Sequence, residues 1–257
     1  AWAGRAAGTA VGEAARAAGL ARGPERNDPM AATTTGVGEL LAAAAAEGAK
    51  RALVCVGGSA TTDGGLGAVG ALGWSLHGLE VTVLCDVETA FRDAAPRFGP
   101  QKGATPEQVP LLTARLDALA DRYRHETGVD VSRLAGAGAA GGLAGGLAAL
   151  GATLRPGFDA VADAVGLDRA LSESDAVVTG EGRLDETSFH GKVVGGVLAR
   201  RAPGLRAAVV AGDVTPQARR ALPADVVLRS LAERAASLDE AMARAPELLY
   251  GAAREVG

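Results

Sequence analysis

The feature that most constrains this chain is a recurring order: an apolar run of strand length, at once a glycine-rich or acidic loop, and then a helix. Residues 51–56 read RALVCV and open directly into GGSATTDGG. Residues 81–85 (VTVLC) end in Asp86, residues 176–179 (AVVT) open into GEGRLDETSFHGK, and residues 207–211 (AAVVA) end in Gly-Asp. Unbroken apolar runs suit strands covered on both faces, and the helices between them carry the chain back over the sheet. The pattern predicts an α/β fold with largely parallel sheets. Ligands of such sheets bind beyond the carboxyl ends of the strands, where these loops lie.

Further elements follow from local signals. A short strand is expected over 8–13, an Ala-rich helix from there to 22, and a turn-rich stretch over 23–29. Thr33, Thr34 and Thr35 offer caps for a helix over 38–46 that Gly48 stops. Thr105 caps a helix over 105–123 with Pro106 at its first position. Residues 136–151 read as a small-residue loop feeding a buried helix. The second half adds a helix over 193–201, a strand over 226–228, and one final helix over 238–256 capped by Ser237.

At 257 residues the chain suffices for one large α/β domain or two smaller ones. Only 3% of residues are aromatic while 48% are hydrophobic and 37 are Gly, so the core must be built from Ala, Val and Leu in close contact. A net charge of −4 provides no attraction for nucleic acid. No run reaches the ~20 apolar residues of a membrane helix, and a soluble cytoplasmic protein is expected. Cys55 and Cys85 lie in strand runs and read as inert core thiols. Lys supplies only Lys50, Lys102 and Lys192 among the 26 basic residues, so each lysine beside a loop motif draws notice.

The densest signal is Gly57, Gly58, Ser59, Ala60, Thr61, Thr62, Asp63, Gly64 and Gly65. Glycines at both ends let amides turn toward an anion, and the hydroxyls add donors. The alternative is a tight strand-to-helix turn without ligand. The loop is neither a Walker A sequence nor a dinucleotide GxGxxG pattern. Lys102 sits in the turn FGPQKGA before a helix, where an ammonium suits phosphate or carboxylate. Glu181, Arg183 and Asp185 follow a strand, and Lys192 opens a helix. Carboxylates there suit metal binding or proton transfer, and the bases suit a transferring phosphate. A solvated, ion-paired loop is the competing reading. Asp86 suits a metal, a hydroxyl or a turn.

Taken together, these motifs resemble the bacterial glycerate kinase family. The resemblance rests on TTTGVGEL (33–40), GGSATTDGG (57–65), CDV (85–87), FGPQKGAT (98–105), GAGAAGGLAGGL (136–147) and VVTGEGRLDETSFHGK (177–192), in order along nearly the whole chain. It implies two α/β domains, residues 1–154 inserted into an outer domain whose second half is 155–257, with the active cleft between them. It implies transfer of the ATP γ-phosphate to D-glycerate with Mg2+, favouring 2-phosphoglycerate over 3-phosphoglycerate. A kinase of another small hydroxy acid and a non-catalytic ligand-binding relative are the alternatives. Placing the chemistry on these motifs assigns Gly57, Gly58, Ser59, Thr61, Asp63, Lys102 and Arg183 to carboxylate or phosphate oxygens. Asp185 becomes proton acceptor or magnesium ligand, Lys192 stabilises charge on the transferred group, and Asp86 and Glu181 are metal candidates. Against the family pattern, the Asp-Ser-Phe-Lys-like and Ala-Asp-Gly-Gly-Glu-Gly-like motifs that open its members are absent. The stretch between Trp74 and Val81 is shorter than expected, and ETAFRDAAPR replaces the usual continuation after Asp86. The resemblance therefore leads to the expectation that these residues alone would be poorly soluble or partly unfolded in the C-terminal half, and inactive as a kinase.

Overall fold

A computed structural model describes residues 4–6, 8–22, 27–189 and 191–256. Part of the expected 23–29 turn, and His190, lie outside them. The chain divides into two compact units, Ala1–Pro156 and Gly157–Gly257.

The first unit holds a five-stranded sheet. β1 (Gly4–Ala6) runs antiparallel to β2 (Thr9–Glu13), which is followed by α1 (Ala15–Ala18) and α2 (Thr35–Ala46). β3 (Arg51–Cys55), α3 (Leu66–Ala71), β4 (Glu80–Leu84), α4 (Ala94–Phe98), α5 (Gln108–Thr127), α6 (Leu143–Ala149) and β5 (Thr153–Arg155) complete it. β2 to β5 are parallel and neighbours in chain order, with Cys55 opposite Leu84. Ala52 and Val54 of β3 and Val81 and Val83 of β4 point into one core with Val37 and Leu41 of α2 and Leu143, Ala144 and Leu147 of α6, a helix buried along its whole length. A second cluster surrounds the buried face of α5 (Leu112, Leu116, Leu119, Tyr123) with Phe91 and Val131. The Ala-rich core expected from composition is therefore present, and the few aromatics concentrate in this second cluster.

Several boundaries differ from the sequence expectation. The helix expected to reach residue 22 stops at Ala18, because Gly19 is extended and pairs with Ser59. α5 starts three residues late, after a capping box in which Thr105 Oγ1 accepts from Gln108 N and Gln108 Oε1 from Thr105 N. The short link between α3 and β4 turns through Gly73 (φ 59°), Trp74 (62°), His77 (51°) and Gly78 (78°). Two non-glycine residues in the left-handed region are held by contacts. Trp74 stacks edge-on against Tyr123 and under Arg122, and His77 bonds Leu72 O.

The second unit contains α7 (Gly157–Val165), α8 (Leu167–Ser172), β6 (Ala176–Leu184), α9 (Val193–Arg200), β7 (Arg206–Val214), α10 (Pro216–Ala221), β8 (Val226–Ser230), α11 (Leu238–Ala243) and α12 (Ala245–Arg254). Its sheet is parallel in the order β6-β7-β8. β6 is five residues longer than expected: Gly180, Glu181, Arg183 and Leu184 pair with Val210, Ala211, Asp213 and Val214, so the motif lies on the strand itself. The single final helix is two, broken at Arg244. Pro246 has no N–H and its ring would clash with the preceding turn. The alternation in this unit resolves into one face packed by Val194, Val209 and Ala218 and another where Val210 meets Leu231, Ala241 and Leu248.

Candidate active site

The glycine loop of residues 57–65 leaves the end of β3 and is held from three directions. Gly64 N donates to Gly141 O, and the buried Tyr123 hydroxyl donates to Gly64 O, each at 3.0 Å. Gly141 has φ 67°, and a Cβ there would stand 2.0 Å from Thr61 O, so the two loops meet backbone to backbone. Asp63 makes the third attachment. Its carboxylate accepts from Thr34 N and Thr34 Oγ1 at 2.8 Å each, from Gly65 N at 3.1 Å and from Gly67 N at 3.2 Å. One carboxylate thus serves the amino ends of both α2 and α3, where backbone amides lack partners.

Beside this loop lies a cavity of about 290 Å3 whose lining includes Gly57, Gly58, Ser59, Cys85, Asp86 and Lys102. Lys102 is 4% exposed. Its ammonium donates to Ser59 Oγ at 2.9 Å and Thr61 O at 2.7 Å, neither of which carries charge. Burial lowers its pKa to about 8, against the opposing pull of Asp63. A largely buried ammonium with neutral partners, opening onto a small cavity, can receive an anion. Asp63 does not line this cavity; Thr61 contributes its carbonyl while its hydroxyl lies 3.4 Å from Ala140 O. Both cysteines are free and half-buried rather than in the core, Cys85 at the cavity wall, and burial pushes both thiols up.

In the second unit, Asp185 follows β6. Its Oδ1 accepts from Thr187 N at 2.8 Å and Thr187 Oγ1 at 2.6 Å. Lys192 Nζ donates to Thr187 Oγ1 at 2.6 Å and stands 4.0 Å from Asp185. The Thr187 hydroxyl, followed by the backbone amide and Lys192, holds the Asp185 carboxyl below the usual carboxylate range, so it is ionised at neutral pH. Glu181 and Arg183 border a separate, mainly apolar cavity of about 840 Å3 with Asp213, Met242 and Leu249. Arg183 stands 3.8 Å from Asp213, and Glu181 Oε1 is buried without a hydrogen-bond partner. Among the described residues, no cluster of three or more His, Cys, Asp or Glu could hold a metal ion. No described helix is long and apolar enough to cross a membrane.

Sequence reasoning missed Tyr123, read as an ordinary helix position, along with Asn27 and Asp213. Tyr123 and Asn27 lie in no glycine-rich loop, and Asp213 is the acid of the Gly-Asp that ends the 207–211 run but was given no role. The partners of all three are distant in the chain.

Largely parallel sheets with glycine-rich loops at the strand ends, one of them around a buried ammonium, define an α/β protein. The chain belongs to the glycerate kinase family, which residues 1–79 and 74–257 match. The two matched stretches meet within the short link between α3 and β4. A glycerate kinase of Bacillus subtilis (strain 168) is 33% identical over 96% of this chain and 75% of its own length. The glycerate 2-kinase of Escherichia coli (strain K12) is 37% identical over 74% of this chain and 59% of its own. A crystal structure described as a glycerate kinase 2 from Salmonella typhimurium LT2 aligns with a TM-score of 0.73 and 32% identity, over 97% of this chain and 77% of that one.

Proposed function

We propose that the protein is a cytoplasmic kinase that transfers the γ-phosphoryl group of ATP to D-glycerate, giving 2-phosphoglycerate. The observation that carries this reading is the buried Lys102 ammonium on neutral partners at the 290 Å3 cavity, which suits the carboxylate of a small hydroxy acid. The naming of the Escherichia coli relative as a glycerate 2-kinase supports the 2-hydroxyl as acceptor.

In this reading Gly57, Gly58, Ser59 and Lys102 hold the carboxylate. Asp63 holds the loop rather than the substrate, since its oxygens already serve two helix ends. The hydroxyl oxygen attacks the γ-phosphorus, the bond to the β–γ bridging oxygen breaks, ADP leaves and the hydroxyl proton passes to Asp185. Lys192 and Arg183 balance charge on the phosphoryl oxygens. Bound Mg2+ would neutralise nucleotide phosphate charge, and it typically needs only one or two protein carboxylates beside phosphate oxygens. Glu181, with one buried carboxylate oxygen unpartnered, fits that demand, and Asp86 is the second candidate. The two α/β units carry the substrate and phosphoryl-transfer residues respectively, and we place the inserted domain at residues 1–154.

Phosphorus NMR of a reaction of full-length protein with ATP, Mg2+ and D-glycerate tests the reading. Appearance of 2-phosphoglycerate is expected. No phosphoglycerate, or faster turnover of another hydroxy acid, would overturn it.

A further inference from the structure

Asn27 lies outside every motif that the sequence singles out, in the segment between α1 and α2. Its carboxamide nitrogen donates to Ala60 O at 2.9 Å and to Lys102 O at 2.8 Å. The Lys102 side chain returns to the same loop, placing its ammonium on Ser59 Oγ and Thr61 O. Ala60 sits between those two acceptors, so the bonds close a ring. It runs from Asn27 to the Lys102 backbone, along the lysine side chain to Ser59 and Thr61, and back through Ala60 to Asn27. Backbone contacts brace it. Ala60 N donates to Ala18 O at 2.8 Å. A Cβ on Gly103 (φ 94°) would stand 3.3 Å from the Asn27 carbonyl oxygen. Asn27 does not line the cavity at Lys102; it borders a different one, of about 330 Å3.

A lysine stem has many rotamers, and a buried ammonium without an anionic partner gains by swinging out to water. Fixing the lysine backbone relative to its acceptors closes that route. We propose that Asn27 is a positioning residue whose carboxamide sets the spacing of the 57–65 loop and the Lys102 turn, and thereby holds the ammonium at the cavity. Its consequence for catalysis rests on the reading of that cavity as the glycerate site.

Lys50, Lys102 and Lys192 are the lysines of the chain, and Lys50 and Lys192 are exposed, so side-chain ammonium NMR with isotope-labelled lysine reads Lys102 directly. In the native protein its ammonium protons should exchange far more slowly than those of the other two. Asn27→Ala, and the isosteric Asn27→Asp that lacks the donors, should each speed that exchange by about tenfold, the worth of a lost hydrogen bond. Both should raise KM for D-glycerate several-fold, with a much smaller change in kcat. On a Lys102→Met background, Asn27→Ala should add nothing further to KM, because the group it positions is gone. A Lys102 exchange rate unchanged in both Asn27 variants overturns the proposal. Faster exchange with an unaltered KM supports the positioning role, and instead overturns the reading of the cavity as the glycerate site.

Discussion

The two units of this molecule treat their loop charges in opposite ways. In the first, the glycine loop is packed against the 138–142 loop, tied by Asp63 and Tyr123, and encloses a lysine that is 4% exposed. In the second, Asp185 and Lys192 lie in the open with side chains 32% and 46% exposed, linked through Thr187. The cores differ in the same sense. The first unit buries two large clusters around five strands, while the second divides smaller ones over three strands. It leaves Val178 at 56%, Met242 at 69% and Leu249 at 50% exposure. Its charges settle in surface pairs such as Arg200 with Asp159, Asp163 and Asp168, and Arg234 with Glu255. Arg234 pulls the Glu255 carboxyl down to about 2. Exposed pairs of this kind are worth little individually. The contrast teaches that the first unit fixes its loop and lysine by packing and buried hydrogen bonds, whereas the second holds its charges in exposed pairs. The proposed reaction would use the first to bind and the second to meet the transferred group.

The largest effect expected from that contrast is on turnover. Asp185→Asn should lower kcat by about 10²-fold or more while KM for D-glycerate changes little, as loss of a general base does. Turnover at the native rate would remove Asp185 from the chemistry and break the division of labour. Next comes a pair of glycine substitutions, read by chemical denaturation. Gly141→Ala must place a Cβ at 2.0 Å from Thr61 O in a left-handed conformation, and should cost about 3 kcal/mol. Gly182→Ala meets nothing within 4 Å and should stay within about 0.5 kcal/mol of native. Equal costs would show that the two positions are equally packed.

Lys102→Met should then raise the Kd for D-glycerate by about 10- to 100-fold, the range for a charge-assisted hydrogen bond, as calorimetry would measure. The smallest effect is the pH dependence of the same binding. Lys102 has its pKa lowered to about 8, so the ammonium that receives the anion is lost as pH rises through that value. Affinity should be level below about pH 8 and fall toward tenfold per pH unit above it, and the fall should vanish in Lys102→Met. Stability has the opposite sign. The unfolded lysine holds its proton up to its ordinary value of 10.5, so the folded state gains stability as pH rises from about 8 to that point. A glycerate affinity that is flat from pH 7 to 9.5 would show that Lys102 does not carry the anion.

The sequence by itself determined the class of fold and the family. Apolar runs opening into glycine loops were enough to place the core strands, because a parallel sheet covered on both faces leaves an unbroken hydrophobic signature. Lysine scarcity led to Lys102, and the loop motif to Ser59. Strand ends were misjudged where pairing, not propensity, decides them: Gly180 to Leu184 extend β6 only because β7 continues alongside. Pro246 broke the last helix through a local rule that the apolar spacing concealed. Only the tertiary structure decided that Asp63 caps two helices, that Tyr123 holds Gly64, and that Asn27 closes a ring around Lys102. Apart from the local bonds of Asp63 to Gly65 and Gly67, those roles depend on partners about 30 to 75 residues away in the chain. No local pattern carries them, because a hydrogen bond is set by where two backbones meet and not by which residues precede it.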